Sequence, residues 1–170
     1  LLTGPGITIV DDLKMTSRET TLDPKETFVK LDDTWKYFKG TTEASDPPDL
    51  WRQVGFDDAA WSEGQAIIGF GDGDETTVLA DMRQVLPDVP GYASFFVRKA
   101  FDVVDPAAVE SFVLDVEYDD GYAAYLNGVE VASGNLNPGQ RAFNTLAARA
   151  KEKVKESIDL TSRKDLIVAG

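Results

Sequence analysis

The run Tyr118-Asp119-Asp120-Gly121-Tyr122-Ala123-Ala124-Tyr125-Leu126-Asn127-Gly128-Val129-Glu130-Val131 constrains this chain more than any other segment. Asn127-Gly128 is the preferred pair for a two-residue turn in which both residues take positive φ, and apolar residues alternate on either side of it. Leu126 and Val129 are therefore expected to face each other across a hairpin. Ala124 and Val131 continue that side, whereas Tyr125 and Glu130 point the other way, which predicts one buried face and one wet face. The segment specifies a fold; it supplies no reaction.

A chain of 170 residues can bury a core of its own and reads most economically as one domain with extra terminal material. Lys and Arg total 17 against 30 Asp and Glu, a formal charge of -13. Such a field repels nucleic acid and anionic lipid, and both are excluded as partners, while it favours solubility and cations. Cysteine is absent, so there is no disulfide and no thiol chemistry. No apolar run is long enough to span a membrane, and no signal-peptide pattern opens the sequence.

Along the chain, Ile7 to Met15 reads as a strand followed by a polar segment, Thr16 to Lys25. Two readings stand side by side: a leftover strand from a preceding domain, giving a boundary between residues 1–29 and 30–170, or a strand that packs on this domain itself. Trp35-Lys36-Tyr37-Phe38 opens the main domain as a strand. The Pro47-Pro48 pair forbids a helix in the loop that follows. Asp57 or Asp58 is placed to cap a helical turn that buries Trp61. Ala66 to Phe70 reads as a short strand and Tyr92 to Val103 as a longer one, with Lys99 marking a bulge or an edge. Phe112, Leu114, Val116 and Tyr118 alternate with Val113, Asp115 and Glu117 in a half-buried strand, and the Ala- and Lys-rich stretch Leu146 to Lys155 predicts a short helix. Short strands separated by turn signals predict an all-β sandwich.

Several of these residues occur together in a recognisable order. Trp35-Lys36-Tyr37, then Trp51 with Phe56-Asp57-Asp58 and Trp61, then Gly69-Phe70-Gly71-Asp72-Gly73-Asp74-Glu75-Thr76, then Phe96-Val97-Arg98-Lys99 with Phe101, and finally the hairpin itself resemble the galactose-binding-domain-like jelly rolls. These are accessory modules of large secreted bacterial proteins, and the set is also similar to the sugar-binding jelly roll of β-galactosidase-type glycoside hydrolases. The resemblance runs from about Lys30 to Gly170 and implies a jelly-roll β-sandwich with one or two short helical turns. It also implies a further strand after Gly170, for which the Ile7 to Met15 strand is one substitute, and a structural calcium ion.

The chemistry in the sequence favours binding over turnover. With neither His nor Cys, the Ser–His and Cys–His nucleophile systems and imidazole or thiolate zinc sites are unavailable. Paired carboxylates at Asp57-Asp58, Asp119-Asp120 and Asp72/Asp74/Glu75 leave a glycosidase reading open, although turn and cap roles suit each pair better. Hard oxygen ligands on a glycine loop suit calcium, so Asp72, Asp74 and Glu75 form the expected metal site. A sugar needs an aromatic platform beside planar polar groups, which selects Tyr122, Tyr125 and Tyr92 with Arg98, Asp120 and Asn135. Tyr122 leads, because family members carry a small or apolar residue after Asp-Asp-Gly. The expected role is a non-catalytic carbohydrate-binding or domain-positioning module, monomeric, on a secreted or cell-surface protein, with a ligand-free spacer or adhesion domain as the alternative.

Overall fold

The computed structural model describes residues 27–82, 91–139 and 141–169, together with the backbone of 6–10 and 13–17. Among these residues the chain is all-β, with helix confined to 3-10 turns at Leu50–Arg52, Pro106–Ala108 and Thr161–Leu166. In chain order the strands are β1 (Gly6–Val10), β2 (Leu13–Ser17), β3 (Thr34–Lys39), β4 (Ser62–Gln65), β5 (Ile68–Gly69) and β6 (Thr77–Val78). They continue with β7 (Phe95–Arg98), β8 (Val113–Tyr118), β9 (Gly121–Leu126), β10 (Val129–Gly134) and β11 (Val154–Asp159). One sheet runs β10-β9-β1-β7-β3-β4 and the other β11-β8-β2-β5-β6. Every pairing is antiparallel except β5 with β6.

The N-terminal segment is central to this arrangement. β1 lies between β7 and β9, and β2 lies between β8 and β5, so the two strands are interior members of the two sheets. A boundary at residue 29 would separate β1 and β2 from the sheets that hold them. The rest of the polar stretch after Ser17 lies outside the described residues.

Two apolar clusters stabilise the fold. The larger takes Trp35, Phe95, Val97, Tyr122, Ala124 and Leu126 from one sheet and Leu114, Val116, Tyr118 and Ile68 from the other. Burying each of Phe95, Leu114 and Val116 contributes about 1.5–3 kcal/mol. The alternation read in β8 holds, with Leu114, Val116 and Tyr118 buried. The second cluster sits on the opposite face of the larger sheet, where Phe96, Ala123 and Tyr125 meet Ala44, Trp51 and Trp61. A loop rich in proline and aspartate thus folds back over a sheet face and dries it.

That second cluster overturns the expectation of a wet face at Tyr125, although Glu130 on the same face is exposed, and Val129, expected on the buried face, is exposed too. All six residues of β9 are buried, including Tyr125. The turn itself has the expected geometry, with φ of 49° at Asn127 and 89° at Gly128, and Val129 pairs with Leu126. Register then slips between Glu130 and Ala132, so Ala132 rather than Val131 pairs with Ala124.

Other expectations are also corrected. The strand read over Tyr92 to Val103 is only β7, an interior strand buried at all four positions, and Lys99 lies just beyond its end, donating to the Thr34 carbonyl at 3.1 Å. Leu146 to Lys155 forms no helix; the stretch turns through Lys153 at φ 44° into β11, whose pairing with β8 overrides local helix propensity. The strand read over Ala66 to Phe70 shortens to Ile68–Gly69. Asp57 accepts the Ala59 amide at 3.0 Å in a turn, while the nearby 3-10 turn buries Trp51.

Candidate functional site

Tyr122 and Tyr125 serve the interior, and Tyr92 is half-buried. Tyr122 is 1% exposed, with its ring centroid 4.6 Å from that of Tyr118 and its hydroxyl donating to Glu156 at 3.3 Å. It is no surface platform, because β9 is covered on both sides. Tyr125 packs edge-on against Trp51 at 5.8 Å and donates to Glu130 at 3.2 Å. Tyr92 donates to Asp81 at 2.9 Å, and Asp81 also holds Lys39 at 2.7 Å. Burial first, and nearby carboxylates after it, push these phenols up: Tyr125 to about 12, and Tyr92 and Tyr122 further.

The polar candidates divide. Asn135, at φ 52°, donates to the carbonyls of Asp120 and Arg149 and so ties the end of β10 to the segment before β11. The Asp120 carboxylate accepts the Lys151 amide at 2.7 Å. Both residues brace a corner. Arg98 is 5% exposed; its Nε donates to Asp58 at 2.8 Å and its Nη1 to the Trp51 carbonyl, pinning the loop that carries the second cluster.

The expected metal triad is broken up. Glu75 accepts the Asp72 and Gly73 amides at 2.7 and 2.9 Å, which closes its own loop and holds its carboxyl below the ordinary value against the opposing effect of burial. Asp74 pairs with Lys153 at 3.2 Å. Asp72 instead meets Asp119 and Glu152, with one carboxylate oxygen of each within 4.8 Å of the others. Lys153 reaches Asp72 at 3.3 Å, placing an ammonium beside this corner. Burial raises the Asp119 carboxyl despite the Lys153 and Asp120 amides that it accepts, and the charges of Asp72 and Asp120 add to the rise. These three oxygens could accept a hard cation. Sequence proximity could not select Asp119 and Glu152, since three separate segments bring the group together.

Beside Arg98 lies an open depression of about 790 Å³, formed where β3, β4 and β7 meet the loop carrying Phe56 to Ala59. Its charges other than the rim Asp57 are paired: Arg98 with Asp58 at 2.8 Å, Lys36 with Glu63 at 2.8 Å, and Lys99 with Asp33 at 3.7 Å. Hydrogen bonding to Lys36 holds the Glu63 carboxyl below its usual value. The half-buried Phe56 ring, 5.2 Å from the Arg98 guanidinium carbon, supplies an apolar wall, and Asp57 is exposed at the rim. Of the six ligand-binding candidates, Arg98 alone lines this depression. Lys36, Phe56 and Glu63 line it as well, a juxtaposition that their strand and turn signals, which describe only local structure, do not announce.

No protein-family model, no curated protein and no solved structure matches this chain. Among the described residues, no helix is long and apolar enough to cross a membrane.

Proposed function

We propose that this chain is a non-catalytic carbohydrate-binding module of the galactose-binding-domain-like jelly-roll type, carried by a multidomain protein that is secreted or held at the cell surface. The observation that supports the reading is the depression beside Arg98. An apolar ring edge next to charge-paired planar groups offers a hydroxyl-rich ligand both C–H contact and paired hydrogen bonds without a net-charge demand. A neutral saccharide is the ligand that such a lining suits.

The test is affinity electrophoresis and NMR titration against lactose, cellobiose and maltose. Binding should perturb amides near Lys36, Phe56, Asp57 and Lys99, and Asp57→Ala should weaken it with the fold intact. Perturbations confined to other surfaces, or turnover of aryl glycosides that Asp57→Asn or Asp119→Asn abolishes, would defeat the reading. A second reading, a ligand-free module that positions neighbouring domains, draws support from the enclosure of Tyr122 and Tyr125 in the two clusters. It predicts no response to any of the three sugars.

A further inference from the structure

Arg52 sits over two aromatic rings. Among the described residues it pairs with no carboxylate; its guanidinium carbon lies 4.3 Å from the centroid of the Tyr125 ring and 5.7 Å from that of Trp51. Its Nε is enclosed and has no acceptor, although the residue as a whole remains partly exposed. Close by, Arg141 donates to the Asn137 carbonyl at 2.7 Å and to Glu130 at 3.1 Å, and its own Nε is likewise enclosed without an acceptor. The Tyr125 hydroxyl donates to the same Glu130 carboxylate at 3.2 Å. Arg141 and the Tyr125 hydroxyl thus meet on the Glu130 carboxylate, while Arg52 sits over the Tyr125 ring, inside a chain whose formal charge is -13.

We propose that Arg52, backed by Arg141, is a receptor for the carboxylate of a uronic-acid sugar, at a place distinct from the depression beside Arg98. A guanidinium seated over an aromatic ring is oriented before the ligand arrives, and its planar fork matches a carboxylate. Arg141 already holds Glu130, so Arg52 offers a single charge, which suits a singly charged carboxylate better than a doubly charged phosphate. The surroundings suit a sugar. Leu50, Val54 and Val129 are exposed by 42%, 41% and 38%, enough to meet ring C–H groups. The exposed Gln53 amide, which abuts the Asn127–Gly128 turn closely enough that a Cβ on Gly128 would lie 2.7 Å from its Oε1, can match hydroxyls.

The experiment is an NMR titration of the whole chain with sodium glucuronate, glucose and sodium acetate, each to about 50 mM, a range that reveals millimolar dissociation constants. Glucuronate should shift the amides of residues 50–54 and 125–130, with glucose and acetate at least about tenfold weaker. Arg52→Lys, which keeps the charge and the stem but loses the fork, should weaken glucuronate binding by about tenfold. The same variant should leave neutral disaccharide binding beside Arg98 unchanged, so the two sites succeed or fail separately. Equal binding of acetate, equal response in Arg52→Lys, shifts mapping elsewhere, or no response to glucuronate would each overturn the assignment.

Discussion

Tyr118 and Tyr122 share one acceptor: their hydroxyls donate to the two carboxylate oxygens of Glu156, at 2.8 and 3.3 Å. Burial, and then the Glu156 hydrogen bond, push the Tyr118 phenol up to about 12, whereas in the unfolded chain it ionises near about 10. The native state therefore holds its proton where the unfolded state has lost it, and stability falls as pH rises through that interval. The stability advantage of wild type over Tyr118→Phe should shrink between about pH 10 and 12. Urea unfolding at stepped pH measures it, and a constant difference would contradict the coupling.

Gly128→Val places a β-branched residue at φ 89°. Strain in the left-handed region should destabilise by about 1–3 kcal/mol, whereas the contact with the exposed Gln53 side chain can relax. Chemical denaturation reads the loss; an unchanged midpoint would mean that the turn adapts without cost.

Arg98→Met should destabilise by about 3 kcal/mol, the low end for a broken buried pair, because the Asp58 side chain keeps 28% exposure to water. Releasing the Trp51 carbonyl should also loosen the second cluster. The near-ultraviolet circular dichroism of Trp51 and Trp61 should weaken before far-ultraviolet signal is lost, and simultaneous loss of both would speak against a local clamp.

If calcium occupies the corner where Asp72, Asp119 and Glu152 converge, a concentration about a hundredfold above its dissociation constant should add roughly 2.7 kcal/mol. Lys153→Met removes the ammonium that competes for Asp72 and should tighten binding, while Asp119→Asn should abolish it. Melting temperatures with calcium and with chelator decide; indifference to both excludes a stabilising ion.

What was legible in the sequence was local. Asn127-Gly128 declares its own backbone angles, and Leu114, Val116 and Tyr118 declare a face by alternation. The wet face assigned to Tyr125 failed because Trp51 and Trp61 arrive from a distant loop to cover it, and alternation within one strand carries no record of that visit. Glu156 illustrates the same limit, since a carboxylate in an alternating edge strand gives no hint that it will sit between two tyrosines. The interior position of β1 and β2 depends on pairing with strands far along the chain, which their own few residues do not encode. At the carboxylate corner, Asp72 stands out through its glycine loop and Asp119 through its pairing with Asp120, but Glu152 reads as ordinary surface charge, and nothing local joins the three.

The interior placement of β1 has a mechanical consequence. In a protein strung between anchored domains, tension entering at Gly6 passes straight to the middle of the larger sheet, where β1 is flanked by antiparallel neighbours on both sides. Pulled along its length, that strand must shear two rows of backbone hydrogen bonds together, whereas an outer strand such as β10 can be unzipped from one neighbour, bond after bond. Force arriving from the N-terminal side would thus meet the sheet where it resists most.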